Sequence, residues 1–281
     1  MALTVNTNLS ALQAYNSLSR TSASMASSMA KLSSGLRINT AADDAAGLTI
    51  SEGLKAQVNG YGIAARNAQD GINMIQTADG AMGEVHSILQ RMRDLAVQGA
   101  NDSNNADSRT AIAKEAGDLS RELYRIAEGT NFNGIDLLKG GSKAFQVGAG
   151  GTANDTISVT LATAATDTGT LASADGTAAG AGFDVSTNAA AQTTITAIDT
   201  AIKAVSTSRA GLGAVQNRLN HALNIANVSS QNLAASQSHI TDTDMAQEMV
   251  NYTKTNILSQ AGTAMLAQAN QSGQRILKLL G

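Results

Sequence analysis

A chain of 281 residues with a formal net charge of −3 offers no electrostatic case for nucleic acid or an anionic membrane surface. It has no cysteine, which excludes a disulfide framework, a thiol nucleophile and a Cys-based metal site; it also has no proline, where ordinary usage of about 5% would give about 14. Hydrophobic residues make up 43% but aromatic ones only 2%, a balance that favours thin helical layers over a thick globular core.

The first stretch, Met1 to Leu36, reads as a helix short of partners. Leu9, Leu12, Leu18, Met25, Met29, Leu32 and Leu36 recur at threes, fours and sevens, and Arg20 is the only charge before Lys31. A solvated helix carries charge on its outer face, so this one expects company on more than one side. Ser33-Ser34-Gly35 supplies the stop, with Gly35 suited to a left-handed cap. Met1 to Asn6 has no basic n-region and no apolar h-region, so no secretory signal is expected. No apolar run is long enough for a membrane span. By themselves these absences read as cytoplasmic.

After the stop, Thr40 is a candidate N-cap, and Asp43 and Asp44 stand where a helix dipole favours negative charge. Leu54, Val58, Tyr61, Ala65, Ala68, Ile72 and Ile75, then Met82, Val85, Leu89, Met92 and Leu95, predict one helix from Ala45 to Gly99, about 80 Å long at 1.5 Å per residue. Its glycines at 53, 60, 62, 71, 80 and 83 mark close helix packing, or a break near Gly60-Tyr61-Gly62. Gly99 to Ser108 is a turn-rich connector. Ile112, Ala116, Leu119, Leu123 and Ile126 predict an antiparallel helix ending at Gly129.

Asn133-Gly134 is a tight hairpin turn signal. Phe145 and Val147, and then Ile157, Val159 and Leu161, alternate with polar residues as short strands around Gly148 to Gly151. Residues 162–194 are low-complexity Ala, Thr, Gly, Ser and Asp, expected as a short surface loop or small strands. Helical periodicity returns at Ile195 and runs to about Gln237. Ile240 to Asp244 is a junction with a new N-cap. The last helix carries Met245, Met249, Tyr252, Ile257, Met265, Ile276 and Leu280, and Lys254 is its only charge between Met249 and Gln274. The two ends of the chain mirror each other and are expected to pair.

Candidate reactive sites are weak. Gly148-Ala149-Gly150-Gly151-Thr152-Ala153 fits G-x-G-x-x-A, but a strand rather than a helix follows it, against a dinucleotide site. Gly140 to Lys143 has the wrong order for a phosphate loop. His86, His221 and His239 have no metal-binding spacing, and neither HExxH nor a G-x-S-x-G elbow occurs. No enzyme activity, metal or cofactor is expected. Ordering Val5 to Ser33 costs roughly 30–60 kcal/mol of backbone entropy. Full burial of its eight large apolar side chains contributes roughly 12–24 kcal/mol. A two-helix arm would leave much of that face wet, so the termini are expected to be disordered in the monomer and to fold against other copies.

These residues carry a family resemblance. Leu32 to Asn39 with Asp43-Asp44-Ala45-Ala46-Gly47 resembles the N-terminal signature of bacterial flagellins. Gln90 to Gln98, Thr130 to Gly134, Leu212 to Leu219 and Ile257 to Gln271 resemble further flagellin motifs, in the same order. The resemblance spans about 1–145 and 195–281, with one departure: Ser272-Gly273 stands where flagellins often carry a proline.

The resemblance implies a mainly α fold, a long antiparallel helical bundle or rod with a small β-hairpin region and termini paired as a coiled-coil-like arm. It implies an inner-core domain of 1–44 with 241–281, an outer-core rod of 45–161 with 195–240, and the short segment 162–194. It implies a subunit that self-assembles into the helical filament of the flagellum; the alternative is a hook–filament junction protein. The polymerisation interface would hold Leu9, Leu12, Leu18, Met25, Met29, Leu32, Met249, Ile257, Met265, Ile276 and Leu280. Implied partners are other copies of the chain, an export chaperone gripping the C-terminal helix, and the filament cap and hook junction proteins. A vertebrate innate-immune receptor would sense Gln90, Arg91, Leu95 and Glu115, which the filament buries. Export would be unfolded, through the flagellar type III machine, to the extracellular filament. That displaces the cytoplasmic reading and suits a chain without proline or cysteine.

Overall fold

The computed structural model describes residues 8–172 and 182–280, the side chains of 165, 166, 170 and 273–280 excepted. The fold is mainly α with a small antiparallel β component. The chain divides into two units, Met1–Ala56 with Asn232–Gly281, and Gln57–Gln231.

In the first unit, α1 (Leu9–Ser34) opens on Asn8, whose side chain accepts from the Ala11 N–H at 3.0 Å, and closes on Gly35 at φ 72°. The Gly35 N–H donates to the Lys31 carbonyl, as a left-handed cap requires. Residues 1–7, where the expected helix begins, lie outside the described residues. α6 (Met245–Leu280) lies antiparallel to α1: Asn8 Nδ2 donates to the Ala269 carbonyl, Leu18 packs at Gly262, and the Thr243 N–H donates to the Gly35 carbonyl. A single antiparallel bridge, Leu36 with Asp242, and the Arg37 N–H on the Thr241 carbonyl tie the two turns together. Arg37 Nη2 reinforces them by donating to the Ile240 carbonyl at 2.6 Å.

One helix start differs in detail from the sequence reading, and the α6 start falls within the junction expected of it. Thr40 is not the N-cap of α2 (Ala45–Gly99). Its N–H and hydroxyl donate to Asp43, and Asp44 caps the helix through the Gly47 N–H at 2.9 Å. Two consecutive aspartates thus divide the work, one closing the turn and one opening the helix. α6 is capped by Asp244, which accepts from the Ala246 and Gln247 N–H groups.

In the second unit, α3 (Ala106–Gly129) starts at Asn105, which accepts from Ser108 N. β1 (Asn131–Phe132) and β2 (Ile135–Asp136) form a hairpin whose turn residues, Asn133 and Gly134, have φ 50° and 76°. Positive φ at both positions is what a two-residue type I′ turn demands. β3 (Ser142–Gln146) pairs antiparallel with β4 (Thr156–Thr160), Phe145 opposite Ile157. α4 (Ala164–Asp167) is a single turn, and α5 spans Asn188–Thr241.

Helix α5 therefore starts earlier than its large apolar residues suggest. Thr187 caps it, and Ala189 to Ala191 extend it, alanine being the best helix former. Segment 162–172 likewise departs from the surface loop or strands expected: it is helical turn, and Ala162, Ala164 and Leu171 are buried with Phe183 and Val185. Residues 173–181 of that segment lie outside the described residues.

The core of this unit has two patches. Met82, Val85, Leu89, Met92 and Leu95 of α2 meet Ile112 and Leu123 of α3 and Ile198 and Val205 of α5. Further along, Ile72 and Ile75 of α2 meet Leu212 and Leu219 of α5 under Leu137, Ile157, Val159 and Leu161. No break occurs at Gly60-Tyr61-Gly62. Gly60 instead admits Ala149, since a Cβ there would lie 2.8 Å from the Ala149 Cβ. Gly71 likewise admits Leu219 and Phe145, whereas Gly53, Gly62, Gly80 and Gly83 face open space. Close packing therefore accounts for two of these six glycines and not for the other four.

Candidate assembly surface

The apolar stripe of α1 is two stripes. Leu18, Met25 and Leu32 are half-buried. With Ala11, Ala14, Thr21 and Ser28 they form a seam of alternating threes and fours. The α6 side of the pair repeats that spacing in Glu248, Tyr252, Thr255, Ser259, Gly262, Leu266 and Ala269. Most of these side chains are small or polar, so the helices approach closely and bury little. At Gly262 the approach leaves a Cβ only 3.1 Å from Leu18 Cδ1.

The remaining large residues of α1 point elsewhere. Leu9 is 72% exposed, and Leu12, Tyr15 and Met29 are exposed as well. On α6, Met245, Met249, Ile257 and Met265 fall at multiples of four, the spacing of a ridge that fits a neighbouring helix groove. Ile257 is 61% exposed and Met265 64%. Val250 and Leu258 flank that ridge, and with Thr253 and Lys254 they line a shallow, almost wholly apolar depression. Of the residues the sequence places in a polymerisation interface, Leu9, Leu12, Met29, Met249, Ile257 and Met265 are thus free on the surface, and Leu18, Met25 and Leu32 are spent on the seam. The side chains of Ile276 and Leu280 lie outside those described. Tyr15, Val250 and Leu258 join the exposed set; their spacings of three from Leu12, seven from Ile257 and seven from Met265 were the signal available in the sequence.

The polar side of the same helix pair carries Arg20, Lys31, Lys254 and Glu248 around Ser24, Ser27 and Thr255. Among the described side chains of this unit, Ile38 is the only large apolar one that is buried.

In the second unit, Gln90 bonds His86, and Arg91 pairs with Glu115 of α3 through Nε at 2.8 Å and Nη2 at 2.6 Å. All three of Gln90, Arg91 and Glu115 are exposed, but Leu95 is 2% exposed, inside the α2–α3–α5 core. The four therefore do not form one surface. Arg93 pairs with Asp199 and Arg209 with Asp79, tying α2 to α5. The hydrogen bonds to those carboxylates hold both guanidinium pKa values above their usual range.

The glycine loop at 148–153 cradles an internal anion. Asp155 accepts from the Thr152 N–H and hydroxyl, which hold its carboxyl below the usual range, and its side chain occupies the space a Cβ on Gly148 or Gly150 would fill. Asp155 takes the place a phosphate would need. Among the described residues no group of three or more His, Cys, Asp or Glu could hold a metal, and no helix is long and apolar enough to cross a membrane.

Known proteins match this chain along nearly its whole length. Residues 5–143 match the family described as the bacterial flagellin N-terminal helical region, and residues 195–280 its C-terminal helical region. The flagellin of Halalkalibacterium halodurans is 47% identical over 276 residues, covering 98% of this chain and 99% of that one. The flagellin of Bacillus subtilis is 44% identical, with the same coverage. The flagellar filament 33 kDa core protein of Treponema phagedenis is 41% identical, also over 98% and 99%. The crystal structure of Bacillus cereus flagellin superposes with a TM-score of 0.50 at 34% identity, covering 61% of this chain and 94% of that one. With both terminal signatures matched and near-complete coverage of its relatives, the chain belongs to the bacterial flagellin family.

Proposed function

We propose that this flagellin builds the flagellar filament by packing the exposed ridges of α1 and α6 against neighbouring copies, outside the cell. The observation that carries the reading is the mismatch within the first unit: its seam is made mostly of small or polar residues while Leu9, Leu12, Met29, Met249, Ile257 and Met265 stay in solvent. Each such side chain, once buried, contributes about 1.5–3 kcal/mol. That driving force is absent from the monomer and present in the polymer, so the terminal helices fold fully only against other copies.

In this reading 1–44 with 241–281 form the inner core as a coiled-coil-like arm, 45–161 with 195–240 form the outer core, and 162–194 is a minor projection. Ile276 and Leu280, later in the sequence of α6, are assigned to the same polymer interface. The role is structural, without catalysis. The same apolar face of Met245–Leu280 offers an export chaperone a grip before assembly, and the ends of the polymer meet the cap and hook junction proteins. An innate-immune receptor would read Gln90, Arg91 and Glu115 as a surface, with Leu95 holding that stretch of α2 from beneath.

The test is seeded growth. Purified chain added to filament fragments should elongate them, and the Leu9→Asp/Leu12→Asp variant should remain a soluble monomer. Normal filaments from that variant would overturn the reading, and failure of the unaltered chain to elongate seeds would favour a junction protein.

A further inference from the structure

The methionines are segregated. Met74, Met82 and Met92 of the second unit are 4%, 0% and 0% exposed. Met29, Met245 and Met249 of the first unit are 55%, 46% and 51% exposed, and Met265 more so. Met25 is half-buried in the α1–α6 seam. Among the described residues, the accessible thioethers therefore stand on the terminal helices, within the face assigned to assembly, and those of the core are shielded.

We propose that Met29, Met245, Met249 and Met265 are a modification site, where oxidation by a peroxide blocks polymerisation and reduction restores it. This rests on the reading of α1 and α6 as the assembly surface. In the step, a thioether lone pair attacks one oxygen of hydrogen peroxide. The S–O bond forms as the O–O bond breaks, and the departing hydroxide takes up the remaining proton to leave as water. The sulfur loses two electrons and the peroxide gains them. The sulfoxide is polar where the thioether was apolar, and it disrupts methionine-rich interfaces. Buried between helices it would lack a hydrogen-bond donor, and burying an unpaired polar group is unfavourable. In the monomer the same group sits in water at little cost. The modification therefore acts on the polymer equilibrium and leaves the core of the second unit intact. Subunits already in a filament would have these sulfurs covered, so a finished filament resists the oxidant that stops its growth.

The experiment treats full-length monomer with hydrogen peroxide, maps added oxygen by peptide mass spectrometry, and measures the critical concentration for seeded growth. Met29, Met245, Met249 and Met265 should react at least about tenfold faster than Met74, Met82 and Met92, following exposure. The critical concentration should rise at least about tenfold, which corresponds to about 1.4 kcal/mol per subunit. Methionine sulfoxide reductase should return it to the starting value. The M29L/M245L/M249L/M265L variant, compared with its own untreated sample, should lose no growth on exposure to peroxide. Oxidation at the four sites with an unchanged critical concentration would overturn the proposal, as would equal reactivity of the three core methionines or loss of growth in the variant. Failure of untreated chain to elongate seeds strikes the assembly reading instead, so the two failures are distinguishable.

Discussion

The two units use similar residues to opposite ends. In Gln57–Gln231, apolar side chains on α2, α3 and α5 meet one another and are covered by the strands, by Ala162, Ala164 and Leu171, and by Phe183 and Val185. In the unit formed by the chain ends, the helices meet mostly through small or polar residues with Leu18, Met25 and Leu32 among them, and turn Leu9, Leu12, Met29, Met249, Ile257 and Met265 outward. One unit completes its core within the chain. The other has its apolar residues in place and lacks the surface to bury them against.

The largest effect that would break the comparison is a cavity on each side. Leu89→Ala removes a wholly buried side chain and should lower monomer stability by about 2–5 kcal/mol. Leu12→Ala alters an exposed one and should change it by less than about 0.5 kcal/mol, while still weakening polymerisation. Urea titration of both variants below the critical concentration, followed by circular dichroism, is the measurement. Equal losses would mean that the terminal unit has a core of its own.

Much of this was legible. The bounds of α2 and α6 followed from periodicity and flanking polar residues, and the Gly35 cap from the stop signal Ser33-Ser34-Gly35. Asn133-Gly134 named its own turn. What escaped had no large side chains to report it. The start of α5 lies in an alanine run whose periodicity is invisible, though Ala191 is fully buried. Segment 162–172 looked like a polar loop because its buried members, Ala162, Ala164 and Leu171, are spaced irregularly. The α1 stripe was read as one face because threes and fours fit both the seam and the ridge beside it; only the position of α6 separates Leu18, Met25 and Leu32 from Leu9, Leu12 and Met29. Leu95 was grouped with its exposed neighbours because a motif does not say which way a side chain points.

The glycines of α2 sharpen the account of the self-sufficient unit. Gly80 faces open space, so Gly80→Ala should stabilise the monomer by up to about 1 kcal/mol through helix propensity. Gly60 admits the β3–β4 loop, and Gly60→Ala would drive a methyl to within 2.8 Å of the Ala149 Cβ and 3.2 Å of its Cα. Overpacking of this sort costs about 1–3 kcal/mol. Thermal unfolding of the two variants should therefore shift in opposite directions. A gain at both sites would mean that the loop does not hold its place against α2.

The smallest effect compares one motif in both units. Thr40-x-x-Asp43 and Thr152-x-x-Asp155 are the same turn: each carboxylate accepts from a threonine N–H and hydroxyl three residues earlier, and Asp43 takes the Asn39 N–H as well. Hydrogen bonds to Thr40 come first among the causes that hold the Asp43 carboxyl below its ordinary value of 3.8; for Asp155 the first cause is Thr152. A depressed folded value means that each turn's contribution is present above the unfolded pKa and is lost as pH falls through the folded one. Both turns should therefore hold at neutral pH and loosen only below about 3.8. The Asp155 turn is continued by the Val147 and Gly148 N–H groups on the Asp155 carbonyl and by the β3–β4 ladder. Asp43 leads directly into α2, with one residue, Asp44, between. Acid should therefore release the Thr40 amide to exchange before the Thr152 amide, and Asp43→Asn should abolish the pH dependence at Thr40 alone. If the two amides lost protection together, the ladder would add nothing to the turn, and the second unit would owe its acid resistance to its core.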